Sequence, residues 1–371
     1  MKTALSFDDV LLVPRFSKIE SRSNVNLTSW LYDSISYNED VEGSLDSIPL
    51  SLPIISSPMD TVTGRSMAVA MSAAGGLGIV HRYCSIEDQV EMTTKESLPS
   101  APQMRGWSGT SRLRSIPKKD IEHPAAAIGV TGDYMERAEE LVKNGCVILC
   151  IDVAHGHHTS VEKAIKAIKK KFSSTVAIIA GNVATASGYE ALSRWGADAV
   201  RVGIGGGSIC STRIQTGHGV PTLQSIIDCA NSEGEASIIA DGGIRNSGDI
   251  VKAYAAGAHF VMLGSLLAGT DESPGQVFSS AEGKKYKVYR GMASVEAQVD
   301  WRGKARSLEG VSTTIPYKGS VKKILADLEQ NIRSGLSYSG ATDLEDLYRD
   351  SNFIRQTNAG MRESNTHILS R

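Results

Sequence analysis

Short apolar runs alternate with longer amphipathic segments over most of the chain. Eight such runs have the length and branched apolar composition of buried strands. They lie at residues 53–57, 77–81, 125–130, 147–152, 176–180, 199–202, 237–240 and 260–263. Segments with helical spacing of apolar positions follow most of them, at residues 64–74, 85–96, 133–144, 160–171, 184–195, 222–232 and 247–256, and a last one lies at 322–334. The pattern therefore predicts repeated strand–helix units.

This alternation predicts an α/β fold with a parallel sheet, because parallel strands need a crossover helix between them. Eight units favour a closed (β/α)8 TIM barrel, with an open doubly wound sheet as the alternative. We expect residues 1–371 to form a single barrel domain. In such a barrel, functional residues collect at the carboxyl ends of the strands.

Residues 1–50 look irregular, and three further segments depart from the alternation of strands and helices. Residues 97–124 contain four prolines and five lysine or arginine residues, which predicts a surface loop. Residues 270–318 separate the eighth strand from the last helix and predict a mobile flap over the active site. Residues 352–371 form a polar C-terminal tail.

Composition narrows the possible functions. The chain has 371 residues, 41% of them hydrophobic, and a net charge of −2, so we expect no nucleic-acid partner. No apolar run reaches membrane-spanning length and the N-terminus lacks a signal-peptide core, so we expect no membrane association. Five scattered cysteines without a CxxC pair fit a reducing, cytoplasmic setting.

The most informative stretch is Val202 to Arg213, which has four glycines in five positions followed by Cys210. Glycine permits tight turns with positive φ. We expect Cys210 on a sharply bent loop at the carboxyl end of a strand, where a thiol can act as a nucleophile. The alternative is an ordinary glycine turn with a buried cysteine.

Other predicted strand ends carry small or polar residues. Gly242-Gly243 and Gly264-Ser265 follow the seventh and eighth strands, where barrels often bind phosphate through backbone amides. We therefore expect a bound nucleotide monophosphate whose base faces Cys210. A thiolate can add to an electron-poor ring carbon. Thr212 could relay a proton if a carboxylate activates it.

These stretches resemble the IMP dehydrogenase/GMP reductase family over nearly the whole chain. The matching segments are residues 7–14, 56–63, 75–81, 151–156, 181–185, 202–213, 240–243, 260–264, 289–292 and 309–311. The family usually has proline in place of Gly206 and threonine in place of Ser211. The resemblance implies a (β/α)8 barrel that assembles as a homotetramer, in which the cysteine attacks C2 of a purine nucleotide monophosphate.

The resemblance also implies roles for individual residues. Cys210, Thr212 and Glu309 would be catalytic. The 5′-phosphate would be bound by Ser208, Gly242, Gly243, Gly264, Ser265 and Tyr289. Asp241 would bind the ribose, and Gly291 and Met292 the base. Asp152 and Asn182 would face the nicotinamide cofactor. Carbonyl oxygens of Gly205, Gly207 and Cys210 would suit a monovalent cation such as K+, and the segment 359–365 resembles the one that completes this site in dehydrogenases.

Two reactions are possible within this resemblance. Dehydrogenases carry an adjacent Arg-Tyr pair on the flap, which activates water. Here residues 291–309 include Arg302 and Arg306 but no tyrosine, which favours an NADPH-dependent GMP reductase that converts GMP to IMP and ammonia. Dehydrogenases usually carry an inserted CBS-domain pair, and here residues 97–124 occupy its place. This also favours the reductase. The alternatives are an IMP dehydrogenase without CBS domains, or a nucleotide-binding regulator that has lost turnover.

Overall fold

The structure is a computed structural model, and it describes residues 3–32, 47–94, 121–305 and 309–366. Most of the predicted surface loop 97–124 lies outside the described residues, and so does Arg306. No helix in the described part of the chain is long and apolar enough to cross a membrane.

The N-terminal region contains strands that local sequence did not predict. β1 (Val10–Leu12) pairs antiparallel with the C-terminal β15 (Phe353–Arg355). β2 (Ser29–Tyr32) pairs with β3 (Ile48–Leu50). The expectation of an irregular region 1–50 was therefore wrong for these segments. The partner of β1 lies at the opposite end of the chain, so no local pattern reveals the pairing.

Eight parallel strands close into a barrel, which confirms the predicted fold class. They are β4 (Ile54–Ser56), β5 (Leu77–Val80), β6 (Ala125–Ile128), β7 (Ile148–Asp152), β8 (Ala177–Val183), β9 (Ala199–Val202), β10 (Ser237–Asp241) and β11 (Phe260–Leu263). Each strand pairs with the next, and β11 pairs with β4 to complete the ring. The open doubly wound sheet is thereby excluded.

Helices cover the outside of the barrel. They are α1 (Arg65–Ala73), α2 (Ile86–Thr93), α3 (Tyr134–Lys143), α4 (Thr159–Phe172), α5 (Ala186–Trp195), α7 (Thr222–Ala230), α8 (Ser247–Ala255) and α10 (Val321–Ser339). The helix boundaries follow capping chemistry. Ser85, Thr185 and Asn246 each accept a hydrogen bond from a backbone amide in the first turn, as N-cap residues do.

Alternate positions of each strand enter two different cores. Ile55, Ile148 and Ile239 belong to the buried cluster inside the barrel. Their chain neighbours Ile54 and Leu149 belong to the cluster between strands and helices. Because both faces of every strand are buried, the strands read as continuous apolar runs.

The flap is more ordered in secondary structure than its composition suggested. β12 (Phe278–Ser279), β13 (Lys285–Arg290) and β14 (Ser312–Pro316) form an antiparallel sheet. α9 (Val295–Arg302) lies between β13 and β14. Short helices α6 (Thr212–Thr216), α11 (Leu344–Asp350) and α12 (Asn358–Glu363) complete the described elements.

Candidate active site

One cavity of about 480 Å³ opens at the carboxyl ends of the barrel strands, and the flap covers part of it. Every residue of the predicted catalytic, nucleotide-binding, cofactor-binding and glycine-loop cation-binding set contributes to its lining. They are Asp152, Asn182, Gly205, Gly207, Ser208, Cys210, Thr212, Asp241, Gly242, Gly243, Gly264, Ser265, Tyr289, Gly291, Met292 and Glu309. The topology therefore brings the whole predicted set to one place.

Backbone hydrogen bonds join the loop that carries Cys210 to residues 309–311 of the flap. Ser211 N–H donates to Glu309 O at 3.0 Å, and Val311 N–H donates to Ile209 O at 3.0 Å. Cys210 faces Gly310 in this short antiparallel bridge. The bridge fixes the position of the Glu309 backbone relative to Cys210.

A chain of donors runs from the thiol to a carboxylate. The Cys210 thiol donates to Thr212 Oγ1 at 3.2 Å. The Thr212 hydroxyl in turn donates to Glu309 Oε2 at 2.8 Å. The two distances are within hydrogen-bonding range, so a proton can pass from sulfur to Glu309 through one hydroxyl. Cys210 is partly exposed to the cavity, unlike an inert core cysteine.

The other four cysteines are poor nucleophiles. Burial raises the pKa of Cys84, Cys146, Cys150 and Cys229 to about 12. At neutral pH these thiols stay protonated, and only the thiolate is a strong nucleophile. All five cysteines are free.

A buried guanidinium organises the centre of the cavity. Arg201 Nη1 donates to Asp152 Oδ1 at 2.6 Å, and its Nη2 donates to Asp241 Oδ2 at 2.9 Å. Asn182 Nδ2 also donates to Asp241 Oδ2, at 2.7 Å. Burial by itself would lower the pKa of Arg201, but the two carboxylates together hold that pKa well above its usual value. Asp152, Asn182 and Asp241 therefore form one network rather than separate subsites.

Sequence reasoning did not identify Arg201 as a site residue, although a signal was present. The residue is a charge within the apolar run Ala199–Val202, and it is only 7% exposed. A buried charge needs a partner of opposite sign. The carboxylates at the carboxyl ends of predicted strands, Asp152 and Asp241, were candidates for that partner.

Glycines allow two loops to touch at the end of the cavity that the sequence predicts to bind phosphate. Gly242 has φ +88°, and a Cβ there would lie 2.9 Å from Gly207 N. A Cβ at Gly206 would lie 2.5 Å from Thr222 Oγ1. The family that the sequence resembles usually has proline at position 206. Here the Thr222 side chain occupies the space that this proline would need. Tyr289, which is buried, places its hydroxyl 3.4 Å from Ser208 Oγ.

The segment expected to read the base is held from two sides. Tyr83 donates its hydroxyl hydrogen to Met292 O at 2.9 Å. Arg290, next to Gly291, forms an ion pair with Asp60, at 2.6 Å. The bond from Tyr83 fixes the orientation of the Met292 peptide group at the cavity wall. Tyr83 is a further site residue that sequence reasoning missed.

The expected cation ligands lie on a loop that Arg213 braces. The Arg213 guanidinium donates to the Ile204 and Val220 carbonyls. Gly205 has φ +75°, and a Cβ there would meet the Arg213 side chain at 2.5 Å. Carbonyl oxygens are suitable ligands for a hard cation. Among the described residues, no group of three His, Cys, Asp or Glu side chains could hold a metal ion.

A family model described as the IMP dehydrogenase / GMP reductase domain matches residues 4–367. Among similar proteins of known name, the inosine-5′-monophosphate dehydrogenase of Nitrosopumilus maritimus is 36% identical over 484 aligned positions, covering 99% of this chain and 98% of that protein. The GMP reductase of Leishmania major is 33% identical, covering 99% and 97%. Both names therefore occur at similar identity.

A solved structure agrees with the fold. The crystal structure of a cysteine-to-alanine variant of GMP reductase from Trypanosoma brucei, in complex with guanosine 5′-monophosphate, superimposes with a TM-score of 0.84 at 33% identity. The match covers 99% of this chain and 98% of that chain. The likeness extends over the flap and the C-terminal segment as well as the barrel.

Proposed function

The chain belongs to the IMP dehydrogenase / GMP reductase family, and within it we propose that this protein is a GMP reductase. The reaction is GMP + NADPH + H⁺ → IMP + NADP⁺ + NH₃. The observation that supports this most directly is the Cys210–Thr212–Glu309 hydrogen-bond chain, combined with the absence of tyrosine from residues 291–309 of the flap. The relay is present, while the Arg-Tyr pair that activates water in dehydrogenases is missing.

The relay accounts for the proton balance of the first half-reaction. The thiol proton moves to Thr212 Oγ1 as the hydroxyl proton moves to Glu309. The Cys210 thiolate attacks C2 of the guanine, and a C–S bond forms. Glu309 returns the proton through Thr212 to the 2-amino group, the C2–N bond breaks, and ammonia leaves. The proton that sulfur lost is the proton that ammonia gains.

In the second half-reaction the nicotinamide cofactor, when bound, supplies a hydride to C2. The C2–S bond breaks and Cys210 leaves as a thiolate, which regains a proton through Thr212. Asp152 and Asn182 would face the nicotinamide in this step. The cavity fits such a ligand, because Arg82 lines it with a buried Nε that has no hydrogen-bond partner among the described residues.

The remaining residues would orient the nucleotide. Gly242, Gly243, Gly264 and Ser265 lie at the strand ends where barrels bind phosphate on backbone amides. Arg201 and Asn182 both bond to Asp241 Oδ2, which fixes the carboxylate so that Oδ1 can accept ribose hydroxyls. The Met292 N–H would meet the base. In this arrangement C2 would lie over the Cys210 sulfur.

Assembly and cation binding are also part of the proposal. Carbonyls of Gly205, Gly207 and Cys210 supply too few ligands for K⁺ alone, so further ligands would come from the 359–365 segment of a neighbouring subunit in a homotetramer. In the described chain this segment overlaps α12, whose N-cap Thr357 accepts a hydrogen bond from Gly360 N–H. The cation would stabilise the bent loop and takes no part in a bond-making step.

Absorbance at 340 nm tests the assignment directly. With GMP and NADPH we expect a fall, together with IMP and ammonia in equal amounts. With IMP, NAD⁺ and potassium we expect no rise and no XMP. A rise in the second mixture without a fall in the first would overturn the proposal. Binding of GMP or IMP without either signal would support the regulator hypothesis instead.

IMP dehydrogenase activity is the second candidate, and a specific observation favours it. The C-terminal segment Ala359-Gly-Met-Arg-Glu-Ser-Asn365 resembles dehydrogenases, and several similar proteins carry that name. Their alignments exceed the 371 residues of this chain, so those proteins contain segments that it lacks. Formation of XMP by the purified protein would select this candidate.

A further inference from the structure

The part of the cavity farthest from the glycine pairs contains a cluster of cations and aromatic rings. Strand order places β6 across the barrel from β10. Arg82 and Tyr83 follow β5, and Asp152 to Ala154 follow β7, so these residues flank that far side. A nucleotide whose phosphate lies beyond β10 and β11 would have its base over Cys210. The far side then remains for a second ligand.

Tyr83 is the centre of the cluster. Its ring stacks on Trp301 of α9, with 5.8 Å between centroids and an interplanar angle of 15°. The guanidinium of Arg82 lies 5.4 Å from the Tyr83 centroid, and that of Arg302 lies 6.0 Å from it. Both distances are typical of cation–π contacts. The flap thus delivers Arg302 to a ring fixed on the barrel.

The Trp301 side of this stack rests on a rigid support. Arg137 lies 6.0 Å from the Trp301 ring. Arg137 is only 3% exposed, and its guanidinium is fixed by Asp133 and Gln89 at 2.7 and 2.8 Å. The rings are therefore held in place before any ligand arrives, which lowers the entropy cost of binding.

Arg302 differs from the other cations of the cavity in having no acidic partner. Arg201 is neutralised by Asp152 and Asp241, and Arg82 lies 3.8 Å from Asp152. No carboxylate in the described ranges pairs with Arg302, which is exposed and lines the cavity. A charged group held on an aromatic ring without a counter-ion is suited to an anionic ligand.

We propose that Arg302, held against Tyr83, binds a phosphate group of the dinucleotide cofactor and thereby contributes to cofactor selection. The inference rests on the proposed function for the identity of the ligand as a nicotinamide dinucleotide. Two phosphates share the required chemistry, namely the adenosine 2′-phosphate, which only NADPH has, and the pyrophosphate, which NADH also has. Guanidinium groups bind either through charge-assisted hydrogen bonds.

The test measures binding rather than turnover. NADPH and NADH are titrated separately into the full-length protein with saturating IMP, and the dihydronicotinamide fluorescence is followed. The variants are Arg302→Gln, Arg302→Lys and Lys304→Gln. Lys304 is the matched control, because it lies two residues away, is exposed and does not line the cavity. The dissociation constant of IMP, measured in each variant, verifies that the nucleotide site is intact.

We expect Arg302→Gln to raise the dissociation constant of NADPH about tenfold or more, the usual effect of losing a charge-assisted hydrogen bond. Arg302→Lys should recover part of the loss, and Lys304→Gln should match the unmodified protein. An unchanged NADH constant identifies the 2′-phosphate as the ligand group, and an equal loss for both identifies the pyrophosphate. Unchanged binding of both cofactors, an equal effect of Lys304→Gln, or no saturable binding by the unmodified protein overturns the proposal.

The binding test of Arg302 can succeed or fail independently of the proposed function. A protein that oxidised IMP would still bind a dihydronicotinamide dinucleotide in the same cavity. Loss of cofactor binding in Arg302→Gln would then be observed even if the 340 nm assay identified a dehydrogenase. Conversely, GMP reductase activity with unchanged cofactor binding in Arg302→Gln would overturn only the role of Arg302.

Discussion

The Thr212 hydroxyl donates a 2.8 Å hydrogen bond to the Glu309 carboxylate, while its oxygen accepts from the Cys210 thiol at 3.2 Å. One hydroxyl thus connects the nucleophile to an acceptor on the flap. The backbone bond from Ser211 N–H to Glu309 O keeps the two segments in register. Nucleophile and proton relay therefore depend on the same loop–flap bridge.

Removing the charge of Glu309 should impair deamination more than hydride transfer. Glu309→Gln keeps the shape of the side chain but cannot accept and return a proton. Proton relays of this kind contribute about 10²–10⁴-fold to a rate, so we expect ammonia release in single-turnover assays to slow by about 100-fold or more. Equal rates for both half-reactions in the variant and the unmodified protein would contradict the relay.

Cys210 should be the one cysteine that reacts with iodoacetamide at pH 8. Burial raises the pKa of Cys84, Cys146, Cys150 and Cys229 to about 12. Only about one molecule in 10,000 of such a thiol is ionised at pH 8. Mass spectrometry should find a single modification, which GMP prevents and Cys210→Ala lacks. Rapid labelling of Cys84 would refute this difference.

Breaking the Arg201 network should destabilise the fold as well as the site. Arg201→Met leaves the mostly buried Asp241 with only the Asn182 amide, and Asp152 with only Arg82 at 3.8 Å, as partners. Loss of one partner from a buried ion pair costs about 3–5 kcal/mol. Urea denaturation should show a loss of this size, and Arg201→Lys should lose less because it retains the charge. A change below about 1 kcal/mol for Arg201→Met would contradict the assignment.

The Tyr83–Trp301 stack should keep the flap helix α9 in place. Trp301→Ala removes the stack, and aromatic pairs contribute about 0.5–1.5 kcal/mol beyond their buried area. Hydrogen exchange of amides in α9 should accelerate severalfold, with no change in the barrel helices. Tyr83→Phe is the matched control, because it retains the ring and removes only the bond to Met292 O. Unchanged exchange in Trp301→Ala would show that the stack does not hold the helix.

His81 should make stability depend on pH below neutrality. Burial lowers its pKa below the usual value of about 6.5, with Asp60 opposing the shift. As pH falls below about 6.5, the unfolded chain takes up a proton that the folded chain does not. The free energy of unfolding should therefore decrease, by at most about 1.4 kcal/mol per pH unit.

Urea midpoints measured between pH 8 and pH 5 check the effect of His81. His81→Gln cannot titrate, so its midpoint should vary less with pH than that of the unmodified protein. The comparison is made as a difference between the two proteins, which removes the contribution of carboxylates common to both. Parallel pH profiles would assign the effect to other groups.

The sequence by itself determined the barrel and the position of Cys210 on a bent loop at the end of β9. Both faces of each barrel strand are buried, so each strand appears as a short apolar run, and amphipathic helices separate the runs. The structure confirmed all eight strands. The glycine-rich stretch before Cys210 predicted the bent loop because positive φ at Gly203 and Gly205 requires residues without a Cβ.

Only the tertiary structure decided how distant residues combine. The pairing of β1 with β15, the antiparallel sheet of the flap and the stack of Tyr83 on Trp301 join segments that no local periodicity connects. The sequence shows Arg201 only as a charge within an apolar strand. The structure identifies its partners, Asp152 at the end of β7 and Asp241 at the end of β10. Local patterns report which face of an element is buried, whereas partners across the barrel depend on how the strands close. The bridge between the Cys210 loop and the flap brings Thr212 to Glu309, two residues that the sequence could only name separately.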